Sequence, residues 1–467
     1  MREIFQWFFD FVSAFFVLYL IGYSTFLFLA VAVGSSTLYS HRRRARLKNE
    51  LLDDYYVPVS IIVPAHNEAV TVVSTVQSLM ALEYKLFEII VVDDGSTDDT
   101  ARRVIDAFRL RRVARPIRMQ TPCRREEAVF ENLTGKVPIT LICKMNGGKA
   151  DALNMGINAA KYPYFICMDA DSVLQHDSLE KIVRPVLEND NVVAVGGAVR
   201  PCNGTQIADG HVVSQRLPKN ILACMQALEY DRSFLAARIL FDKFNGSIII
   251  SGAFGLFKKD VVIAAGGYDC DTMGEDMELV VKLHVYCRKN EIPYLIKYAI
   301  DAVCWSQAPE TFDDLRKQRR RWHIGLFQCM TKHRAMLANP KYGLVGLISY
   351  CYFLLYELLS PYIEIFGILT IALAFVVDLI NLPFMLLFFL IYAVYSSALS
   401  LTAFFARIHT VSMKLSAADV AKAILLCFFE VSFLRFFLAW VRATALFGYK
   451  KKKAHWGSIA RKEIDFH

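Results

Sequence analysis

Apolar residues are distributed unevenly along this 467-residue chain. They crowd residues 5–33 and residues 343–447, whereas the stretch between them has the composition of an ordinary globular domain. A bilayer span needs about 20 consecutive apolar residues, so both regions are long enough to cross a membrane. The chain has room for one large folded domain as well. The pattern therefore predicts a globular domain inserted between two membrane-embedded regions.

The N-terminal apolar run predicts one transmembrane helix. It extends from Phe11 to Val33 and precedes the basic block at residues 41–48. Basic residues mark the cytoplasmic side of a span, which places the following domain in the cytoplasm. A cleaved signal peptide is the rival interpretation, and the long run, the basic block and the missing small-residue cleavage site argue against it. We therefore assign residues 1–48 to a transmembrane helix that ends in a basic stop.

The C-terminal region, residues 343–447, is less regular. Its first stretch, Gly343 to Val377, is interrupted at Ser360-Pro361, whereas Phe384 to Phe405 is a cleaner span. Its last stretch, Ala418 to Leu446, contains Lys422, Glu430, Arg435 and Arg442, and charged residues are costly at mid-membrane. If that stretch spanned the bilayer, the lysines at 450–453 would lie outside, against the positive-inside rule. We expect an interfacial segment, a re-entrant segment or a helical hairpin there, with residues 448–467 as a cytoplasmic tail.

Residues 55–310 alternate strand-like and helix-like patterns. Strands are predicted at residues 59–64, 88–93 and 164–169, and helices lie near 70–82, 99–112 and 149–160. This alternation favours a mostly parallel sheet with helices on both faces, whose ligands bind beyond the carboxyl ends of the strands. Residues 113–138 are rich in Arg and Pro and are predicted to form a surface loop. The basic stretch at 311–340 has interleaved apolar residues, which is typical of interfacial amphipathic helices, although a plain surface helix is the alternative.

Several acidic residues follow the predicted strands. Asp169 and Asp171 occupy alternate positions after the third strand, and carboxylate oxygens are ligands that Mg²⁺ prefers. Asn67, Glu68 and Asp94 follow the first two strands and are candidates to accept hydrogen bonds from a uracil and a ribose. Loop residues of these types also cap helices, which is the ordinary alternative.

Three further positions suit the transfer of a group from a phosphate leaving group. Lys149 follows a pair of glycines at a predicted helix start, where a cation and close backbone approach suit a phosphate. Asp276 is a candidate general base that takes a proton from an attacking hydroxyl, and Glu275 beside it can orient that base or raise its pKa. Acidic residues are also favoured in the first turn of any helix by the helix dipole.

The segment from Gln318 to Trp322 combines cationic and aromatic groups within about one helical turn. The guanidinium groups of Arg319 and Arg321 offer planar donor forks for pyrophosphate oxygens. Trp322 offers an apolar face to a sugar ring. A basic interfacial helix with a tryptophan anchor is the alternative explanation of the same residues.

Taken in order, these clusters resemble the D, DxD, (T/G)ED and QxxRW motifs of the processive membrane glycosyltransferases of family 2. That family includes the cellulose, hyaluronan, chitin and poly-N-acetylglucosamine synthases, and the resemblance covers about residues 11–461. It implies an α/β GT-A (Rossmann-like) cytoplasmic domain between transmembrane helices, with amphipathic interfacial helices. It also implies a UDP-sugar donor bound with Mg²⁺ or Mn²⁺, and transfer with inversion in a multi-pass protein of the plasma membrane. The implied donor-binding residues are Asn67, Glu68, Asp94, Lys149, Asp169, Gln318, Arg319 and Arg321.

The resemblance also implies residues for the acceptor. Ser251 and Gly252 would shape the acceptor pocket, and Trp322 would stack on the terminal sugar of a nascent polysaccharide that leaves through the membrane. Trp456 and Arg461 would belong to a loop that closes over the nucleotide. Membrane lipid is an expected partner, and a small membrane subunit or a second copy of the chain is expected to complete the channel.

The donor sugar stays open at this point. We favour UDP-glucose narrowly, because residues 146–268 resemble β-glucan synthases at least as well as others. A UDP-N-acetylglucosamine-dependent synthase, a non-processive glycolipid synthase and an inactive scaffold or export subunit are the alternatives. Nucleic acid is not an expected partner despite the net charge of +8, because the basic residues border membrane segments or lie among the phosphate contacts. The 11 Cys contain no CxxC pair, so their pattern indicates neither a zinc site nor a disulfide framework.

Overall fold

A large mixed β-sheet with helices on both faces forms the centre of the molecule. The computed structural model describes residues 2–48, 56–132, 135–208, 210–232, 236–379, 382–411 and 416–448. The strands are β1 (Val59–Ala65), β2 (Phe87–Asp94), β3 (Arg111–Val113), β4 (Glu126–Glu131), β5 (Ile139–Lys144), β6 (Tyr164–Cys167), β7 (Val173–Leu174), β8 (Val192–Pro201), β9 (Thr205–Ala208), β10 (His211–Gln215), β11 (Gly255–Lys258) and β12 (Leu295–Ser306).

The helices of the central domain connect these strands, and the remaining helices belong to the two terminal regions. In the central domain they are α2 (Val72–Met80), α3 (Thr100–Phe108), α4 (Lys149–Ala159), α5 (Ser178–Glu188), α6 (Ile221–Arg232), α7 (Arg238–Asp242), α8 (Lys259–Ala264) and α9 (Glu275–Lys289). Outside it are α1 (Arg2–Lys48), α10 (Phe312–Lys332), α11 (Tyr350–Tyr352), α12 (Ser360–Val376), α13 (Leu382–Val411), α14 (Ala417–Phe429) and α15 (Arg435–Ala443).

The ten strands of the main sheet run in the order β3-β4-β5-β2-β1-β6-β11-β8-β12-β7. Strands β5, β2, β1 and β6 are parallel neighbours, so their carboxyl ends meet at one edge. Strand β11 is antiparallel to β6 and to β8. The predicted strands and helices and the α/β class are therefore confirmed. The sheet is mixed rather than mostly parallel, because four of its nine strand pairings are parallel and five are antiparallel.

The two faces of the sheet have separate hydrophobic cores. Ile61 and Val63 of β1 point into a core with Val76 of α2. Ile62, between them, points to the opposite face and packs with Leu153 of α4 and Leu279 of α9. Side chains alternate across a strand, so a continuous apolar run such as that of β1 is what a sheet covered on both faces requires.

The segment predicted as a surface loop, residues 113–138, is in part a strand. Strand β4 pairs antiparallel with β5 and extends the main sheet at one edge, where β3 follows it. The prediction was wrong for residues 126–131 because Glu126, Glu127 and Glu131 conceal the pattern. The edge strand β3 pairs only with Val129–Glu131 of β4, so Glu126 and Glu127 lie where β4 has one open side, and charged residues are tolerated there.

Helix α10 is a single helix of 21 residues that contacts both the central domain and the C-terminal helices. Within the described ranges, three helical segments are long and apolar enough to cross a membrane: Gln6–Ser40, Met385–Ala406 and Ala417–Ala443. A fourth arises if the pair Val345–Leu358 and Ser360–Val376, bent by 48° at the predicted break, counts as one span. The prediction that the last segment is interfacial stays a prediction, because by length and composition it could also span.

Four arginine–glutamate pairs link α6, α10 and the C-terminal helices: Arg232–Glu430, Arg319–Glu229, Arg435–Glu364 and Arg442–Glu357. The charged residues that made Ala418–Leu446 ambiguous are therefore partnered, and Lys422 donates to the carbonyl of Pro218. A charge inside an apolar bundle is tolerated when an opposite charge compensates it. We refer to these four contacts as the arginine–glutamate pairs.

Candidate active site

Residues from three separate segments converge at the carboxyl edge of the sheet. Asp169 and Asp171 lie in the loop after β6, Lys149 begins α4, and Glu275 and Asp276 begin α9. Lys149 lies between them: its Nζ is 2.5 Å from Oδ1 of Asp169 and 3.3 Å from Oε1 of Glu275. The carboxylates counteract the effect of burial on this ammonium group, and the net result is a raised pKa for Lys149. The predicted residues of the DxD and GED motifs are thus brought together.

The loop that contains Gly252 closes this arrangement. Its backbone N–H donates to Oδ2 of Asp276 at 3.0 Å, while Oδ1 of Asp276 accepts from the N–H of Met277. A Cβ added at Gly252 would lie 3.0 Å from Nζ of Lys149 and 3.5 Å from Oδ2 of Asp276. A side chain at this position would crowd the Lys149 ammonium group, so a glycine suits the close approach of the backbone. The predicted Ser251-Gly252 segment thus has a direct contact with the candidate base.

The four carboxylates outnumber the cations that face them. We call Asp169, Asp171, Glu275 and Asp276, with Lys149 and Arg321, the carboxylate cluster. Burial, followed by the negative charge of Asp169, raises the pKa of Asp171 to about 6, although Lys149 and Arg321 oppose this. Burial also raises the pKa of Glu275, with Lys149 opposing and Asp276 adding to the rise. Two surplus negative charges remain when all four acids are ionised, which a divalent cation held by Asp169 and Asp171 would neutralise.

In the region predicted to bind the nucleotide, the Asp94 carboxylate already has partners within the protein. Asp94 is buried, pairs with Lys144, and accepts the backbone N–H groups of Gly147 at 2.9 Å and Gly148 at 2.7 Å. Its carboxylate therefore fixes the glycine turn that presents Lys149. Its neighbour Asp93 differs, because one oxygen of its carboxylate, Oδ1, is buried without a hydrogen-bond partner among the described residues.

Asn67 and Glu68 likewise hold the loops at this end. Asn67 has φ +57°, and its Oδ1 accepts the N–H of Thr97 at 2.8 Å. Glu68 accepts from Thr71 Oγ1 at 2.9 Å. These contacts join loop residues and are not helix caps, since the N-cap positions of α2 and α3 have no side-chain capping bond. Donor binding by Asn67 and Glu68 stays a prediction. His66, which sequence reasoning missed, lies beside them, with Nδ1 3.0 Å from the carbonyl of Asp94.

Helix α10 divides its cationic residues between two environments. The positive charge of Arg321 opposes the rise in the pKa values of Asp171 and Glu275. Arg319 instead forms two bonds of 2.6 Å to Glu229 of α6, and its guanidinium lies 4.7 Å from the ring of Trp322. The predicted donor contact of Arg319 thus has a competing partner that the sequence did not indicate, because Glu229 lies 90 positions away.

Two glycines bring α10 against the start of α9. A Cβ added at Gly325 would lie 2.7 Å from the Cα of Gly274, so the two backbones touch. This contact sets Trp322, which is 43% exposed, one turn from the carboxylate cluster. Oε1 of Gln318 is buried without a hydrogen-bond partner among the described residues. Trp456 and Arg461, the predicted gating residues, lie outside the described residues.

Comparisons with known proteins agree with this geometry. The family model for Glycosyltransferase like family 2 matches residues 57–325. Two relatives are poly-beta-1,6-N-acetyl-D-glucosamine synthases, one from Staphylococcus epidermidis that is 33% identical over 268 residues and one from Staphylococcus aureus that is 30% identical over 311 residues. These matches cover 57% and 66% of this chain, and the chain spans 54% and 64% of the length of the two relatives.

A solved structure shares the fold over most of the chain. It is the mannosyltransferase PcManGT from Pyrobaculum calidifontis, in complex with GDP-Man and Mn²⁺. The TM-score is 0.51 at 18% identity, and the match covers 88% of this chain and 99% of that chain. At this identity the likeness concerns the fold alone.

Proposed function

This chain belongs to glycosyltransferase family 2, and we propose that it transfers a sugar from a UDP-sugar to a growing β-linked polysaccharide. The observation that supports this most strongly is the carboxylate cluster. Three segments that are distant in sequence bring the acid pair Asp169 and Asp171, the buried Lys149 and a second acid pair to one edge of the sheet, and the Gly252 loop contacts them. These are the groups that an inverting transfer from a diphosphate donor requires.

In the proposed reaction Asp276 is the general base. The acceptor hydroxyl oxygen attacks the anomeric carbon of the donor, its proton passes to Asp276, and the bond from that carbon to the UDP oxygen breaks. One displacement inverts the anomeric configuration. The N–H groups of Gly252 and Met277 fix the Asp276 carboxylate in place, and a positioned base of this kind contributes about 10²–10⁴-fold.

The departing UDP acquires negative charge, and the proposed stabilising groups are cationic. Lys149 and Arg321 are the cations of the carboxylate cluster and would contact the phosphates. A Mg²⁺ or Mn²⁺ ion held by Asp169 and Asp171 would act as a Lewis acid on the same oxygens. The excess of carboxylates over cations suits such an ion, and PcManGT, which shares the fold, was solved with Mn²⁺.

The acceptor end is proposed at Trp322. Its ring lies against the Arg319 guanidinium, which Glu229 fixes, so the indole is held with one face half-exposed. A polar cavity of about 140 Å³ lies among the helices that the pairs join, and all the charged side chains of the pairs except Arg319 line it. A path for the product through the membrane is part of the proposal, and the pairs would fix the helices around that path.

We propose UDP-N-acetylglucosamine as the donor. The two named relatives are poly-beta-1,6-N-acetyl-D-glucosamine synthases, and the comparisons give no support to the expectation of UDP-glucose and a β-glucan product. This was the first alternative left open by the sequence. A multi-pass location in the plasma membrane with a cytoplasmic catalytic domain is part of the same proposal, as is a membrane subunit or second copy that completes the channel.

Incorporation of radiolabelled sugar tests this proposal. The purified protein in lipid is given UDP-N-acetylglucosamine or UDP-glucose with Mg²⁺ or Mn²⁺, and the high-molecular-weight product is counted. We expect polymer from UDP-N-acetylglucosamine alone. Polymer from UDP-glucose would overturn the donor but keep the polymerase, whereas small, lipid-extractable product would favour a glycolipid synthase. If the protein binds UDP but turns over neither donor, the result would point to a missing partner, the proposed membrane subunit or second copy.

A further inference from the structure

A second group of metal-ligand side chains lies apart from the carboxylate cluster. Glu83 follows α2, His176 lies between β7 and α5, and His211 begins β10. One ligand atom from each of these three residues lies within 4.8 Å of the other two. His176 lies 93 positions after Glu83, and His211 lies 35 positions after His176, so no local motif indicates the group. Sequence reasoning, which considered only cysteine spacing, therefore missed this group.

The two imidazole rings of the group lie against each other. They stack with centroids 3.9 Å apart and an interplanar angle of 26°. Nδ1 of His176 is buried and has no hydrogen-bond partner among the described residues. A buried polar atom that the protein does not satisfy is costly, and such an atom in a native structure calls for a water or an ion. This orphaned nitrogen is a second sign, beside the clustering, that a ligand belongs here.

We propose that Glu83, His176 and His211 bind a transition-metal ion of the Zn²⁺ class. Zinc binds imidazole nitrogen and carboxylate oxygen at about 2.0–2.2 Å in a tetrahedron, so two ligand atoms of one ion lie about 3.4 Å apart. Ligand atoms that now lie within 4.8 Å of one another would therefore approach by up to about 1.4 Å, and the stacked rings would turn so that each ring plane contains the ion. Imidazole ligands select Zn²⁺ over Mg²⁺, which the all-carboxylate pair of Asp169 and Asp171 suits better.

The ion would fasten the β9–β10 hairpin to the sheet domain. This hairpin forms a separate two-stranded sheet, and such a hairpin is only marginally stable by itself. Backbone bonds already join the three ligand segments: Glu83 donates to His176 at 3.1 Å, and His176 donates to Gly210 at 3.0 Å. Ile207 of the hairpin packs on Val173, two positions after Asp171. A metal here would therefore stiffen the loop that carries Asp171 without taking part in the reaction.

A zinc titration with matched variants tests the site. The full-length protein without an affinity tag, in lipid nanodiscs, is stripped with EDTA and held in excess Mg²⁺, which occupies Asp169 and Asp171. Zn²⁺ is then titrated against a chromophoric chelator. We expect one tight equivalent in the wild type and a loss of at least about tenfold in affinity for His211→Ala and for Glu83→Gln. Ser214→Ala, on the same hairpin, is the matched control and should bind as the wild type does.

Two outcomes would overturn the proposal. One is equal zinc affinity in the wild type, His211→Ala and Glu83→Gln, which would assign the binding to histidines elsewhere. The other is a tight equivalent that Asp171→Asn removes, which would place it in the carboxylate cluster. Glu83→Gln changes an exposed side chain by one atom, so a folding defect cannot imitate the expected loss. A rise in the thermal midpoint with Zn²⁺ that His211→Ala abolishes is the supporting readout.

Discussion

The carboxylate cluster and the arginine–glutamate pairs contain the same kinds of residue in opposite balance. In the pairs each glutamate has its own arginine, as in the two contacts of 2.6 Å between Arg319 and Glu229. In the cluster four acids share Lys149 and Arg321. A balanced pair holds helices in register and needs no further partner. A cluster with surplus negative charge attracts a cation from outside the protein, and it is the cluster that we connect with chemistry.

Helix α10 shows the difference within a few residues. Arg319 faces Glu229 and belongs to the pairs, whereas Arg321 faces Asp171 and Glu275 and belongs to the cluster. Residues two positions apart on a helix point about 200° apart, so one helix serves both groups. A charged residue in the same motif can therefore be structural or functional, depending on which face it occupies.

Removal of the proposed base should have the largest effect. Asp276→Asn keeps the shape of the side chain but cannot accept the proton, so we expect UDP release to fall by about 10²–10⁴-fold. The amide oxygen can still accept from Gly252, so UDP binding measured by calorimetry should stay within about twofold. Turnover close to that of the wild type would remove Asp276 from the mechanism.

Loss of one carboxylate of the proposed metal site should have the second-largest effect on activity. Asp171→Asn removes one cation ligand and one negative charge, and we expect a loss of about 100-fold in kcat, from the Lewis-acid contribution of the ion. The concentration of Mn²⁺ needed for half-maximal activity should rise as well. The control is the unliganded protein, whose thermal midpoint should not fall. An unchanged metal requirement would contradict the assignment of Asp169 and Asp171.

Breaking one pair should affect stability rather than chemistry. Glu430→Gln leaves Arg232 buried without its counter-charge, and breaking a buried pair costs about 3–5 kcal/mol. The thermal midpoint should therefore drop clearly, while protein that remains folded keeps kcat within about twofold. The double variant Glu430→Gln with Arg232→Met removes the stranded charge and should recover part of the loss. If the double variant were no better than the single one, compensation would not be the reason for the pair.

The smallest expected effect is on the pH profile. Asp171 has a pKa of about 6 in the folded protein, above its ordinary value of 3.8, so activity at limiting metal should decline as the pH falls through 6. The folded state binds the proton more tightly than the unfolded state does. Stability from this group is therefore greatest below about pH 4 and is lost as the pH rises to 6. Saturating Mn²⁺ should move the activity decline to lower pH, and Asp171→Asn should abolish that shift.

The sequence predicted the parts of the molecule that depend on local pattern. The β-branched runs of β1 and β2 and the acid pair after β6 stand where they were expected, because each is encoded within a few adjacent residues. Strand β4 was missed because the open side that accommodates Glu126 and Glu127 depends on how the strands are ordered in the sheet, which is a tertiary property. The order of the motifs indicated the family, whereas no local pattern indicated that β11 is inserted antiparallel to its neighbours.

The candidate site was predictable in its acids and less so in its contacts. Lys149, Asp169, Glu275 and Asp276 were all named from the chain and lie together. The partner of Arg319 was not, because a contact across 90 positions leaves no mark on spacing. The role of Asp94 in fixing the Gly147-Gly148 turn was also hidden. Such contacts depend on which faces meet in three dimensions, and local propensity carries no information about that.

The most direct test of the account compares Asp276→Asn with Glu430→Gln in one experiment. UDP release from UDP-N-acetylglucosamine and the thermal midpoint are measured for both variants and the wild type in the same lipid. The account predicts that Asp276→Asn loses turnover and keeps its midpoint, whereas Glu430→Gln loses its midpoint and keeps its turnover while folded. An Asp276→Asn variant that turns over the donor normally, or a Glu430→Gln variant that is stable but inactive, would contradict the division between the cluster and the pairs.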